Sequence, residues 1–571
     1  MSVYGLLDSV KWLTPYEMLL CLLNLFLLAR YAFVKKYPAP KWLGFLPALG
    51  IVVFLASLLG GDRTLLAFII YTPTIIIFLC TVKGLFRSSP LLKNKQNKFI
   101  QHVVSVVCAC GIISIIFAIM NAGVLRYNPA SDLSARSYTD AFAEMNERLS
   151  REYPFGSWKG INWNELNVKY SVLFEQAEKN KDKDLYYRTL REYLGSIGDG
   201  HIKLVDHNVY EDDKVFKDEV GGGFGISTVQ LDNGKVRVSL VLEGSPAYMN
   251  GIRLGAEIVA WDGKTGKEAF ERTRWSESYY ATEEVKAYYQ GRFMARAPIG
   301  QKIKVAYRNL EESKVHEVTL TAYDDQYETL KLTKSKMTQE DLAFSPVEAN
   351  IIGGGNGYVK IKHFLPNSNF PAPEKSLSEQ LKHFQASHVK GLIIDLRDNP
   401  GGEDALAAKM AGYFVKKEKH YEYVSYYNRN TGRFEINQNE ILSVKPQVPY
   451  FAGQVMVLIN SRTGSSGEGL PLVLKGLPHV KIIGFTSTAG SFGIVSRPIE
   501  IRMPEGYVIQ FPDGRSLNKD KRIQGDADHT REGGVIPDIR IPFDEQSFAQ
   551  MYIQGEDVEL NYALKMLGYS K

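Results

Sequence analysis

The sequence predicts a multi-domain protein: a four-span α-helical membrane anchor, then an α-helical segment, a small β domain and an α/β layered core. Three observations predict it. Residues 1–125 are strongly apolar, whereas the remainder reads as a water-soluble chain. Between about 215 and 325, glycine-rich turns separate alternating strands. From about 345 to 545, buried-type strands alternate with helical stretches, the pattern of a mostly parallel sheet covered by helices. At 571 residues the chain has room for three or four units. The net charge of +5 is too small at this length to argue for nucleic acid.

The anchor is expected over 1–125, with apolar stretches at about 15–34, 42–60, 64–86 and 99–125. Each approaches the 20 or so residues needed to cross a hydrocarbon core of about 30 Å. Arg30, Lys35, Lys36 and Lys41 follow the first stretch, and Lys83, Arg87, Lys93, Lys95 and Lys98 follow the third. The positive-inside rule makes these loops cytoplasmic and everything after about Val124 extracytoplasmic. Cys21, Cys80, Cys108 and Cys110 all lie in the apolar stretches, so the rest of the chain uses no disulfides. The expected location is a bacterial plasma membrane, with lipid as one partner.

Residues 126–214 form the helical segment: Ser137–Tyr153 and Asn164–Leu194 carry apolar and aromatic residues at helical spacing. It ends in the turn-rich Gly195-Ser-Ile-Gly-Asp-Gly-His201. The β domain spans 215–325. Its loop Gly221-Gly-Gly-Phe-Gly-Ile226 is followed by Gly244-Ser-Pro-Ala247 and by Gly251-Ile-Arg-Leu-Gly255. Together these resemble a PDZ domain, with Ala256 in place of the usual Asp. The resemblance implies that the amides of Gly223, Phe224, Gly225 and Ile226 cradle a terminal carboxylate while a strand edge pairs with the peptide. The stretch 270–298, rich in Tyr and Arg, reads as an insertion.

The last unit, 326–571, holds two motifs just past strand ends, where such folds place active sites. They are Gly391-Leu-Ile-Ile-Asp-Leu-Arg-Asp-Asn-Pro-Gly-Gly402 and Val457-Leu-Ile-Asn-Ser-Arg-Thr-Gly-Ser-Ser-Gly-Glu468. A third segment, Glu532-Gly-Gly-Val-Ile-Pro-Asp538, follows. In this order the three resemble the C-terminal processing (tail-specific) serine peptidases. The resemblance implies Ser465 as nucleophile, with Ser466 a weaker candidate. The Ser466 amide and the Gly401–Gly402 turn would form an oxyanion hole.

The chain departs from the serine–lysine branch of that family. In Gly484-Phe-Thr-Ser-Thr-Ala-Gly-Ser491 the lysine position is Gly490, and the helper position on the preceding helix is Gly476. Gly198-Asp-Gly-His201 instead resembles the tricorn-like branch, which implies His201 as general base; a neutral imidazole suits that task near pH 7. Glu532, Asp526, Asp528 and Asp199 are candidates to orient it, while Glu468 reads as a helix-start residue. No metal-ligand spacing and no phosphate loop is present, and no cofactor is expected. The expected activity is a membrane-anchored endopeptidase acting on exported or membrane polypeptides, internally or near their C-termini, bound through the PDZ-like module. The alternative, motivated by Gly490 and Gly476, is a catalytically inactive peptide-binding scaffold.

Overall fold

Three helices open the described chain, each started by a polar side chain that accepts an otherwise orphaned amide. Ser137 caps α1 (Tyr138–Glu152), Asn162 caps α2 (Trp163–Asn180) and Asp182 caps α3 (Lys183–Ile197). The computed structural model describes residues 131–569, except 206–209, 211–212, 335–344, 367–370, 430 and 497. The four apolar stretches expected to form the anchor lie outside the described residues. The anchor, its lipid partner and the plasma-membrane, extracytoplasmic placement are corrected on one finding. Among the described residues no helix is long and apolar enough to cross a membrane. The longest of those helices, α2, is 18 residues long and carries Glu165, Lys169, Glu175, Glu178 and Lys179.

Helices α1–α3 do not form a core of their own. Phe142, Leu149, Phe174, Tyr193 and Leu194 pack with Ile501, Ile509 and Phe511 from the strands Ile499–Arg502 and Val508–Phe511, so segments some 300 residues apart share one apolar cluster. Gly198, at φ 68, ends α3 and turns the chain toward Asp199 and His201.

The region from 222 to 323 is built on an antiparallel sheet in the order β1 (Ile226–Gln230), β2 (Val236–Val241), β3 (Glu257–Trp261), β4 (Lys302–Arg308), β5 (His316–Thr321), which leaves β1 as an edge strand. Phe224, Ile226, Val238, Ile258 and Val305 fill its core. The stretch 270–298 contributes α4 (Glu283–Phe293), and Met294, Ala295 and Ala297 belong to this same core. It is therefore packed into the module. Its helix was illegible because its buried residues, Gln290, Gly291, Arg292 and Phe293, are consecutive and give no amphipathic stripe.

The final unit carries a six-stranded sheet in the order β6 (Val347–Ile352), β7 (Asn356–Ile361), β8 (Gly391–Asp395), β9 (Gln454–Leu458), β10 (Val480–Gly484), β11 (Ile539–Arg540). Only the β6–β7 pair is antiparallel. Side chains alternate between two apolar layers, as a strand period of two requires. Leu392, Ile394, Val455 and Val457 face α5 (Pro373–Ala386), α6 (Asp404–Ala411) and α7 (Ser466–Leu474), while Ile393, Met456 and Leu458 face α8 (Val558–Met566). Parallel β8 and β9 thus deliver the turns at 396–402 and 459–465 to the same edge of the sheet.

Candidate active site

Ser465 sits where β9 hands over to α7, with φ 53 and ψ −132. A non-glycine residue at positive φ is strained, and such strain persists only when its surroundings hold it. Here they do. The Ser465 amide donates to the Ser491 carbonyl at 2.9 Å and to the Glu468 carboxylate at 3.1 Å, and its carbonyl accepts from the Glu468 amide at 2.8 Å.

Glu468 ties the site together. Fully buried, it also accepts from the Thr488 hydroxyl at 2.6 Å and from the amides of Gly490 and Ser491 at 2.8 and 3.0 Å. Burial pushes its carboxyl up to about 8, against the pull of these hydrogen bonds. The sequence signal was the Ser-x-x-Glu spacing, which reads only as a helix start.

The Gly401–Gly402 turn presses on the same point. Gly401 has φ 101, and a Cβ there would lie 2.6 Å from the Ser465 Cβ and 2.8 Å from the Ser466 nitrogen. Gly402 has φ 143, and its Cβ would meet the Phe364 carbonyl at 2.5 Å. Of the three expected oxyanion donors, the Gly401 amide is committed to Asn399 Oδ1 at 2.8 Å. The Gly402 and Ser466 amides have no acceptor among the described residues. The Ser466 hydroxyl donates to the Gly402 carbonyl at 2.9 Å, which turns Ser466 away from a nucleophile's role.

His201 and Ser465 converge on the segment 491–493. A side chain at Gly200 would place its Cβ 2.5 Å from Ser491 Oγ, and a Cβ on Gly493 would lie 3.4 Å from His201 Nδ1. The hydroxyl at 491 thus fills the space that a side chain at 200 would take, a substitution no local motif announces. Among the described residues the buried His201 Nδ1 has no hydrogen-bond partner. Burial pushes the imidazole below the usual histidine range, partly offset by the Asp199 carboxylate, with Lys203 and Lys159 adding to the depression. The ring is therefore neutral near pH 7, the form that accepts a proton.

Asp199 is the carboxylate nearest the ring among the candidates: its Oδ1 accepts the His201 amide at 2.7 Å and lies 3.8 Å from Nδ1, while its Oδ2 accepts the Tyr153 hydroxyl at 2.6 Å. Asp526 is buried behind it and paired with Lys159 at 2.8 Å. Burial pushes its carboxyl up to about 7 and the Asp199 charge adds to the rise, against Lys159. Asp528 and Glu532 are not brought to the histidine. They form a surface turn in which Asp528 accepts from Thr530 and its amide bonds the Glu532 carbonyl. At Gly490, with φ 67, a Cβ would lie 2.6 Å from Thr282 Cγ2, so no lysine fits. Gly476 opens onto empty space. Among the described residues no group of His, Cys, Asp and Glu could hold a metal ion.

Residues 355–541 match the model of Peptidase family S41. This part of the chain is similar to peptidase family S41. The S41 region is CtpA-like: the chain is 24% identical over 381 residues to the carboxy-terminal processing protease CtpA of Bacillus subtilis (strain 168), covering 66% of this chain and 68% of that protein. It is 22% identical over 404 residues to a probable CtpA-like serine protease of Staphylococcus aureus (strain MSSA476), covering 70% and 68%. These relatives support a serine peptidase, and hence a hydrolase. Among solved structures, mature CPAF complexed with lactacystin aligns with a TM-score of 0.54 at 14% identity, over 76% of this chain and 99% of that one, and shares the fold.

Proposed function

We propose that this S41 chain is a serine endopeptidase in which Ser465 is the nucleophile, His201 its general base and Asp199 the carboxylate that orients the imidazole. The observation that carries this is the convergence of a strained Ser465 and a buried His201 on the Ser491–Gly493 segment. Ser465 Oγ attacks the scissile carbonyl carbon as its proton passes to His201. The oxyanion is held by the Ser466 amide, at the positive end of α7, and by the Gly402 amide. The C–N bond then breaks as His201 returns the proton to the leaving amine, and water hydrolyses the acyl-enzyme by the same relay. Residues 215–325 are assigned as a PDZ-like module beside the catalytic unit, supported by the β1–β5 sheet and the turns at Gly225, Gly251 and Gly255.

The test is labelling of the full-length protein by a fluorescent phosphonate. Label is expected on the wild type and lost in both Ser465→Ala and His201→Ala. Label that survives His201→Ala assigns the wrong base, and none on folded wild type refutes the peptidase reading.

A further inference from the structure

One hydrogen bond joins the two residues whose amides are proposed to hold the oxyanion. The hydroxyl of the fully buried Ser466 donates to the Gly402 carbonyl at 2.9 Å. On either side of Gly402 the backbone is pinned to Phe364. The Phe364 amide donates to the Gly401 carbonyl at 2.8 Å, and its carbonyl accepts the Glu403 amide at 2.9 Å. Gly402 itself, at φ 143, has no Cβ to restrict it. The Ser466 bond therefore governs the freedom that is left to the Gly402 carbonyl.

A serine hydroxyl has one hydrogen to give. Here that hydrogen goes to Gly402, yet the Ser466 hydroxyl also bonds Asp404, the first residue of α6. Toward Asp404 it can only accept, so the carboxyl must bring the proton. The surroundings of Asp404 favour that form. Its Oδ1 accepts the Tyr421 hydroxyl at 3.1 Å, which leaves Oδ2 to carry the proton. Tyr421 is held in turn: a Cβ on Gly469 of α7 would overlap its hydroxyl, and its ring meets Phe492 edge-on at 6.2 Å. Glu422 follows Tyr421 in the strand Lys419–Asn428 and is buried, and its Oε2 has no hydrogen-bond partner among the described residues. Burial raises the Glu422 carboxyl well above its usual range; the charges of Asp404 and Glu440 add to the rise, and the Ser516 hydroxyl opposes it. Burial pushes Asp404 up to about 6, against the hydrogen bonds of the Ser466 and Tyr421 hydroxyls. Two carboxyls that share such a pocket do not both ionise, so the pair keeps a proton near pH 7.

The donors thus run in one direction, from Tyr421 to Asp404, from Asp404 to Ser466 and from Ser466 to the Gly402 carbonyl. We propose that Asp404 is a positioning residue of the oxyanion site: through the Ser466 hydroxyl it fixes the Gly402 carbonyl, and so sets the spacing of the Gly402 and Ser466 amides. This rests on the peptidase reading above and adds to it a residue that acts without touching the substrate. An ionised Asp404 would draw the Ser466 hydrogen away from Gly402 and set a negative charge near the developing oxyanion, so the neutral carboxyl is the working form.

The experiment follows phosphonate labelling of Ser465 in the full-length protein over a range of probe concentrations, which separates the maximal rate from the half-saturating concentration. Asp404→Leu, similar in size but unable to donate, and Ser466→Ala are each expected to lower the maximal rate about tenfold and to leave half-saturation within about twofold. The double variant is expected to be no slower than either single one, because both break the same chain. Asp404→Asn, whose amide donates to Ser466 while its oxygen accepts from Tyr421, is expected to stay within about threefold of wild type. Folded Asp404→Leu that labels within threefold of wild type overturns the proposal. So does a double variant whose losses multiply, or Asp404→Asn as slow as Asp404→Leu. Should Asp404→Leu not fold, the other two single variants decide: Ser466→Ala within threefold of wild type, or Asp404→Asn slowed tenfold, overturns the proposal. Absence of label on wild type is the separate failure of the peptidase reading. Crystal structures of wild type and Asp404→Leu then decide: loss of the Ser466–Gly402 bond in the variant supports the proposal, and its retention overturns it.

Discussion

Replacing Gly401 by alanine isolates the contact between the glycine turn and the serine. The new methyl would stand 2.6 Å from the Ser465 Cβ and 2.8 Å from both the Gly464 oxygen and the Ser466 nitrogen, on a backbone with φ 101. Ordinary carbon contacts are at about 3.5 Å or more, so the two turns must part by roughly 1 Å. A misplacement of about 1 Å at a reacting group can slow it about a hundredfold, roughly 2.7 kcal/mol in the barrier. Stability should fall by about 2–4 kcal/mol, from the left-handed backbone and the overpacking together. The assay is the second-order rate constant for phosphonate labelling of Ser465, measured beside urea unfolding. Folded Gly401→Ala that labels within threefold of wild type would refute the argument that this turn sets the serine's position.

Three further substitutions probe the surroundings. Asp199→Asn removes the charge that holds the His201 imidazole up against burial, so the pH limb of labelling should move to lower pH and its plateau drop about tenfold, roughly 1.4 kcal/mol; an unmoved limb would remove Asp199 from the role of orienting residue. Lys159→Met strands the buried Asp526 carboxyl and should cost about 3–5 kcal/mol. Asp526 is already raised to about 7; its contribution is complete below the usual carboxylate range and is lost as pH rises through its folded value, so the variant should be hurt more at pH 8 than at pH 5 in urea unfolding. An equal cost at both pH values contradicts that sign. Gly490→Lys, which restores the family's lysine by sequence, meets Thr282 and Ala527 on a backbone at φ 67 and should lower thermal stability with no gain in labelling; a gain would show that the site tolerates a second base.

Motif order made the S41 region legible because Ser465, Gly401 and Gly402 are demanded by backbone geometry, and geometry leaves its mark on residue type. The layered sheet was legible for the same reason: Leu392–Ile394 and Val455–Leu458 can only be strands covered on both faces. What a sequence does not carry is which partner a group finds. The Gly401 amide goes to Asn399 and not to an open hole, and the carboxylate beside the histidine is Asp199, two residues away, while Glu532 stays on the surface. The glycines of the 221–226 loop announce unusual backbone but are silent on burial, which Ser245, Arg296 and Asp325 supply from elsewhere in the chain. Hydropathy alone drew the membrane reading, and among the described residues it finds no helix to support it.

The cluster that joins α1–α3 to Ile499–Phe511 has a consequence for synthesis. The Leu133 amide bonds the Arg502 carbonyl, and Phe142 and Tyr193 share their core with Ile501 and Phe511. His201 hangs from the end of α3, so the helices that place it have no finished core until some 300 further residues have left the ribosome. A nascent chain carrying Ser465 but stalled before residue 499 should therefore not react with phosphonate. The proposed Ser465–His201 pair would thus be completed only when this cluster closes.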